Sequence, residues 1–429
     1  MDAVTDPLPP VPRGIGAAQG AALYVGAVLG TGVIALPALA AKAAGPASLI
    51  AWLGLVVLSV PLAATFAALG SRYPDSGGVS TYARRAFGEA PAVLVGWCFY
   101  FAIPVGAPAA ALFGGAYVAE AFGGGRATTV GTAVALIVLV GAANAAGVHV
   151  SARLQLALAG VLLVLMIASV AAALPHARAA NLHPFAPHGW TAVGDAGALL
   201  VWSFAGWEAI THLAGEFRRP QRDLARATAA ALVVVGVLYL AVAAATVSVL
   251  GPRAATARAP LADLLAYGPG GARYIAAGMA VLLTAGTMNA YFAGAAQLGA
   301  ALARDGALPA WVGRGPAGGT VPRRSLAVLV ASSLVALAVV EIAGLDVHPL
   351  VLLTGAQLAT VYAVGVLAAI RLLPPGSSAR RCAVAASVAV ALLLVIVGRY
   401  LVGPAVLCVI VATFVHRKGV RRQRMTTLQ

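Results

Sequence analysis

Apolar runs of about 20 residues, separated by short polar connections, cover most of the chain. A helix needs about 20 such residues to cross the hydrocarbon core of a bilayer, so the pattern predicts about twelve transmembrane helices. The predicted spans are 15–40, 46–70, 91–119, 128–147, 151–174, 194–215, 227–250, 272–302, 325–344, 348–370, 381–398 and 400–416. The last two form either a tight hairpin, which we favour, or one long kinked helix.

Composition supports a membrane protein. The chain has 429 residues, of which 61% are hydrophobic and 10% charged, and its mean hydropathy is +0.93. Such a chain is far too apolar for a soluble globular domain. The expected fold class is therefore an all-α polytopic membrane protein. Residues 1–14 form an N-terminal tail in this interpretation, and residues 417–429 form a basic C-terminal tail.

The formal charge of +15 is divided unequally between the two sides of the predicted membrane. With twelve spans, one side collects 21 of the 28 lysines and arginines. Basic connections stay in the cytoplasm, so both termini are predicted to be cytoplasmic. A nucleic-acid binder would concentrate its basic residues on one face rather than between apolar spans, which excludes that partner. No cleavage site follows the first apolar run, so we expect it to remain as a helix.

Two predicted spans carry helix-breaking residues near their middles. The first has Gly30, Thr31 and Gly32, and the sixth has the sequence WSFAGWEAI, residues 202–210. In transporters with inverted repeats, broken helices at corresponding positions mark the binding site, because their unpaired backbone groups face a cavity. The N-terminus of a half-helix favours an anion such as a carboxylate. For the glycines alone, close helix packing through small residues is the alternative.

The sixth span also carries ionisable residues. Glu208 lies near its middle, where a carboxylate is costly, so it either titrates protons during transport or pairs structurally with freed backbone N–H groups. His212 lies one helical turn later and either shares a proton with Glu208 or serves as a packing residue. Glu216 precedes several arginines and is expected in a salt bridge at the membrane edge.

Aromatic residues surround the second break and form candidates for ligand contact. Trp202, Phe204 and Trp207 are in the sixth span, and Tyr291 is in the eighth. Such rings cover apolar or cationic ligand groups, although each of them alone is also typical of a hydrophobic core.

Motifs for other chemistry are missing from the sequence. Neither of the two lysines follows the glycine-rich pattern of a phosphate-binding loop, so an ion or solute gradient, or a separate subunit, must supply energy. The three cysteines and the histidines of the loop between spans five and six match no metal-site spacing. We expect no cofactor, no bound metal and no enzymatic activity.

Four motifs resemble the amino acid-polyamine-organocation (APC) transporters, over about the first ten spans. GTGVIALP is similar to the first-helix motif of that family, and YPDSGGVSTYARRAFGE to its Pro-x-Ser-Gly-Gly loop. WSFAGWE with EFRRPQRDLARA resembles the sixth helix and its exit. ALARDGALPAW, residues 301–311, resembles the end of the eighth.

The resemblance implies a fold of two inverted five-helix repeats, residues 15–373, followed by two helices within 380–416. It also implies that Gly30, Thr31 and Gly32 bind a substrate carboxylate. By the same resemblance, carbonyl groups near Trp202, Phe204 and Ala205 accept its amino group. It places Trp202 and Tyr291 at gating positions and Glu208 at an acid linked to pH response.

The short chain and the third-span sequence around Pro104 and Pro108 look most like the bacterial branch that exports methionine and branched-chain amino acids. A lysine present in the fifth span of some proton-coupled relatives is absent here. Without that lysine, proton coupling is expected to rest on Glu208. The resemblance to this branch predicts an exporter of small neutral amino acids in the bacterial cytoplasmic membrane, coupled to protons rather than sodium. The alternatives are an amine or polyamine importer or exchanger and, more remotely, a membrane sensor. A homodimer is compatible with the resemblance.

Overall fold

The computed structural model describes residues 16–74, 78–147, 152–208, 214, 217–268, 272–314, 322–411 and 413. Within these ranges, nine helices are long and apolar enough to cross a membrane, and two shorter apolar helices are Ala17–Val28 and Ala192–Ser203. The protein is thus an all-α polytopic membrane protein, as its hydropathy pattern predicts.

Fourteen helices are numbered here in chain order. The first seven are α1 (Ala17–Val28), α2 (Leu36–Ala44), α3 (Ser48–Arg72), α4 (Gly78–Phe87), α5 (Glu89–Phe122), α6 (Arg126–Ala145) and α7 (Ala152–Ala173). The others are α8 (Ala192–Leu200), α9 (Pro220–Leu250), α10 (Pro260–Leu265), α11 (Ala272–Arg304), α12 (Arg323–Ile342), α13 (His348–Leu372) and α14 (Ser378–Val397).

The first predicted span is divided into two short helices. Helices α1 and α2 are separated by a 3₁₀ turn, Thr31–Ile34, which follows Gly30. The sixth predicted span begins as α8 and continues as a second 3₁₀ turn, Val201–Phe204. Most of the rest of this span lies outside the described residues. His212 and Glu216 are among the residues not described, so their predicted roles stay predictions.

Helix α4 was not among the predicted elements. Its apolar residues Val79, Tyr82, Ala83 and Ala86 recur at helical spacing and are buried. Arg84 lies on the exposed side and pairs with Glu89 and Asp305. About half of the surface of this helix is polar. A search for long, fully apolar runs therefore does not detect it.

The two membrane faces are distinguished by their charged residues. The arginine-rich face is where α3, α11 and α13 end, at Arg72, Arg304 and Leu372. The arginine-poor face is where α2, α5 and α9 end. On that face Arg126 forms a two-bond ion pair with Glu341, at 2.6 and 3.0 Å, and Lys42 pairs with Asp346 at 2.9 Å.

The last two predicted spans are separated by a turn. Gly398 has a positive φ of 51° and ends α14, and a 3₁₀ turn, Gly398–Leu401, follows it. Residues 402–411 are helical again, and Val411 is buried in the main hydrophobic core. The final helix therefore follows the glycine turn and contacts the bundle through Val411.

Candidate functional site

A cavity lies where the two broken spans meet, near the middle of the bundle. Its volume is about 80 Å³. Helices α5, α9, α11 and α13 close it around the two breaks. Its lining includes seven of the nine residues predicted from the sequence: Gly30, Thr31, Gly32, Trp202, Ala205, Glu208 and Tyr291.

The other two predicted site residues, Phe204 and His212, are not among the described lining residues. The backbone of Phe204 ends the second 3₁₀ turn, but its side chain lies outside what the structure describes. His212 lies outside the described residues altogether. The predicted roles of both residues stay predictions.

The first break opens the backbone at Gly30. Helix α1 ends at Val28, and Gly30 then has φ −37° and ψ −163°, which is not helical. The first N–H groups of the following turn have no partner within it, as at the start of any helix, and Gly30 has no side chain to cap them. The cavity therefore has backbone donors along this wall.

The second break touches the first. Gly206 has a φ of 109°, a conformation that residues with a side chain rarely adopt. A Cβ atom at Gly206 would lie 2.7 Å from the carbonyl oxygen of Ala27 and 2.9 Å from Cα of Val28. Only glycine lets the two backbones approach so closely. The breaks predicted separately in the sequence thus form one site.

Tyrosine hydroxyls donate hydrogen bonds to backbone carbonyl groups at the two breaks. Tyr239 donates to the carbonyl oxygen of Val28 at 2.9 Å, and Tyr117 donates to that of Ile34 at 2.7 Å. Tyr24 donates to the carbonyl oxygen of Trp207 at 2.6 Å. An unpaired carbonyl in a membrane interior costs several kcal/mol, so these bonds make the broken helices tolerable.

Glu208 is 6% exposed and binds the second break directly. Its Oε2 atom accepts a hydrogen bond from the backbone N–H of Gly206 at 3.0 Å and another from the Tyr362 hydroxyl at 2.6 Å. This geometry agrees with the structural alternative, a carboxylate bonded to a freed N–H group. Because the same side chain lines the cavity, the geometry is also compatible with a titrating role.

Trp202 and Tyr291 form part of the cavity wall. A Cβ atom on Gly32 would lie 2.8 Å from Cδ1 of Trp202, so the indole packs against the first break. Its far edge lies over Gly106 of α5, where an added Cβ would be 3.4 Å from Cη2. Tyr291 of α11 also lines the cavity, and it is 41% exposed.

Sequence reasoning did not identify four tyrosines of this site. Tyr24, Tyr117, Tyr239 and Tyr362 are all buried, and each hydroxyl bonds to a broken segment or to Glu208. The available signal was a tyrosine within an apolar span, since a buried hydroxyl needs a partner. What the sequence could not supply was the partner, up to 211 residues away.

Replacing Tyr239 with phenylalanine is expected to destabilise the protein by about 1–3 kcal/mol, because the carbonyl of Val28 loses its donor. Thermal unfolding of the purified protein measures this change. Tyr274→Phe is the control, since that ring is 46% exposed and its hydroxyl accepts a hydrogen bond from the neighbouring Arg273 at the surface. Equal stability of the two variants would contradict the bond's role.

The described ranges contain no group of three or more histidine, cysteine or acidic side chains that could hold a metal ion. Cys98 is buried, Cys382 is half-buried and Cys408 is exposed, and all three are free thiols. The cavity wall combines backbone groups, one carboxyl and aromatic rings.

Known proteins with similar sequences include amino acid permeases. The family model described as amino acid permease matches residues 15–423. An uncharacterised amino acid permease of Bacillus subtilis, YecA, is 32% identical over 97% of this chain and 99% of its own length.

Two further relatives have more specific descriptions. The L-methionine/branched-chain amino acid exporter YjeH of Escherichia coli is 39% identical over 52% of this chain and 54% of its own length. The branched-chain amino acid permease BcaP of Bacillus subtilis is 27% identical over 56% of this chain and 55% of its own length.

Proposed function

Because the chain belongs to the amino acid permease family, we propose that it exports small neutral amino acids across the bacterial cytoplasmic membrane in exchange for protons. The observation that carries this proposal is the cavity at the junction of two broken helices, lined by the predicted residues of both. Transport proceeds by alternating access, in which the two faces of the membrane reach this cavity in turn.

The cavity suits a zwitterion with an apolar side chain. The substrate carboxylate binds the backbone N–H groups at Gly30, Thr31 and Gly32, where the helix dipole favours negative charge. The amino group binds carbonyls of the second break, near Trp202 and Ala205. Apolar residues of α5, such as Phe99 and Ile103, contact the side chain.

A single acid in the cavity favours a neutral substrate. Glu208 is the one carboxyl side chain among the described lining residues. A polyamine carries several positive charges, and a site for it needs more than one acid. Two relatives, the methionine and branched-chain amino acid exporter and the branched-chain amino acid permease, support the same substrate class. An amine importer or exchanger is therefore the weaker candidate.

Glu208 is the proposed proton carrier. No ionisable side chain occurs between Leu156 and Ala173 of α7, so the carboxyl that contacts the second break is the candidate within the cavity. A proton on Glu208 weakens the hydrogen bond from Gly206 without removing it, because a neutral carboxyl is a weaker acceptor than a carboxylate. A proton therefore has a direct effect on the segment that binds the substrate. The arginine-rich face is the cytoplasmic one in this proposal.

Transport by the reconstituted protein tests the function. Vesicles containing the full chain are assayed with labelled methionine, leucine, isoleucine, valine, lysine and putrescine under imposed pH and sodium gradients. Neutral amino acids are expected to move in the direction opposite to the protons when a pH gradient is imposed. A sodium gradient is expected to have no effect on their transport. Transport of putrescine or lysine alone would favour the alternative, and movement of none of the six would refute the proposal.

Replacing Gly30 with leucine is expected to abolish this transport while leaving insertion and folding intact. A Cβ atom at Gly30 meets only the carbonyl oxygen of Ala27, at 3.9 Å, so the side chain extends into free cavity space. Flux in vesicles measures the effect, with a loss of at least about tenfold, which is ~1.4 kcal/mol of lost binding. Gly131→Leu is the control, because an added Cβ there has open space on the exposed side of α6.

A further inference from the structure

A second, charged cleft lies on the arginine-poor face, away from the central cavity. Its volume is about 580 Å³. Its polar lining comes from the end of α5, the 3₁₀ turn after α9 and the region around α10. These polar residues are Glu120, Arg253, Thr256, Arg258, Asp263 and Tyr267.

The cleft combines two positive and two negative side chains. Arg253 and Arg258 carry two positive charges, and Glu120 and Asp263 carry two negative charges, so the formal sum is zero. A singly charged anion or cation would complement the side chains of only one sign. A guest with both charges, separated by a short distance, can complement both pairs.

Neighbouring groups hold the charged side chains in place. Arg253 donates through Nη2 to the hydroxyl of Tyr267 at 3.0 Å, and the Tyr267 ring packs on His176 with centroids 4.7 Å apart. A guanidinium has five donors, so this bond leaves others for a carboxylate. Its fixed position lowers the entropy lost when a ligand binds.

Asp263 lies in a setting that favours a cationic guest. Burial and the nearby Glu120 raise its pKa to about 6, although Arg253 opposes the shift. Two carboxylates held near one another repel, and an ammonium group placed between them relieves that repulsion. The acid side of the cleft therefore has unused capacity to bind a cation.

Short helix α10 connects the cleft with the first helix break. Asp263 lies on this helix and lines the cleft, and the N–H of Leu261, two residues earlier, donates to the Tyr117 hydroxyl at 3.2 Å. The same hydroxyl donates to Ile34 within the turn after Gly30. A ligand in the cleft thus contacts a helix that is bonded to the transport site.

We propose that this cleft is an accessory site for zwitterionic amino acids on the arginine-poor face. The carboxylate of the amino acid binds Arg253 and Arg258, and its ammonium group binds Asp263 and Glu120. The identity of the ligand rests on the proposed transport function. The cleft holds an amino acid that has left the central cavity or that waits to enter it.

Cysteine labelling in the cleft tests this proposal. Thr256→Cys, in the full chain in lipid nanodiscs, is labelled with a membrane-impermeant fluorescent maleimide, and the unsubstituted chain gives the background from the native thiols. L-leucine is expected to slow labelling, whereas leucine amide, without a carboxylate, and N-acetyl-leucine, without an ammonium group, are not. Thr191→Cys, exposed on the same face outside the cleft, is expected to show no protection.

Further variants separate the cleft from the central cavity. When Asp263→Asn is added to Thr256→Cys, the leucine concentration that halves the labelling rate is expected to rise about fivefold, as for the loss of one partly exposed ion pair. Asp195→Asn is the matched control, with no change expected. Adding Gly30→Leu should leave protection intact, because it fills only the central cavity.

Each outcome has a distinct meaning. Transport without protection of Thr256→Cys would overturn this inference alone, and so would protection that Gly30→Leu removes or that Asp263→Asn leaves unchanged. Protection without transport would overturn the proposed function alone. Protection by leucine amide as strong as by leucine would overturn the assignment of the arginines.

Discussion

Replacing Gly206 with alanine is expected to abolish transport and to destabilise the protein. Two effects add at this position. The φ of 109° is strained for any residue with a side chain, at a cost of about 1–3 kcal/mol. The new Cβ would also lie 2.7 Å from the carbonyl oxygen of Ala27, and backbone atoms cannot rotate away as a side chain does. The two broken segments must therefore separate.

Flux in vesicles and thermal unfolding both measure this effect. We expect transport to fall at least about tenfold, since a cost of ~2 kcal/mol at the junction exceeds one factor of ten. Gly194→Ala in α8 is the matched control, because an added Cβ there has no atom within 4 Å. Normal flux in Gly206→Ala would show that contact between the breaks is dispensable.

Replacing Glu208 with glutamine is expected to uncouple transport from the pH gradient. The amide oxygen of glutamine can still accept from Gly206 N–H and the Tyr362 hydroxyl, so the local structure should persist. The side chain can no longer bind or release a proton. Flux driven by a pH gradient should therefore fall at least about tenfold, equivalent to ~1.4 kcal/mol, while exchange of substrate for substrate continues.

The pH profile of flux provides the measurement. Wild-type flux should depend on pH, and that of Glu208→Gln should be nearly flat. Glu89→Gln is the control, because Glu89 pairs with Arg84 at the exposed start of α5. An unaltered pH dependence in Glu208→Gln would leave this carboxyl with the structural role alone.

The sequence predicted the breaks because their signals are local. Gly30, Gly32 and Gly206 each stand within an apolar span, and Glu208 is an acid at a depth where acids are rare. Such signals need no knowledge of the partner. The family resemblance then grouped Gly30, Gly32 and Glu208, and the structure brings these three residues to one cavity.

The contacts that stabilise the breaks could not be predicted in this way. The hydroxyl of Tyr24 meets a carbonyl 183 residues later, and that of Tyr239 meets one 211 residues earlier. No local pattern encodes such a pairing, because it depends on how the helices pack. Helix α4 was missed for another reason, since a search by apolar length overlooks a helix that is buried on one side only.

Tyr117 couples two segments of the arginine-poor face through a single hydroxyl group. Its one hydroxyl accepts from Leu261 on α10 and donates to Ile34 beside the first break. Withdrawal of either segment removes one bond and weakens the other, because bonds that share a hydroxyl polarise each other. Movement at this face should therefore follow a single cooperative step. Single-molecule distances across α2 and α10 should jump between two values rather than drift.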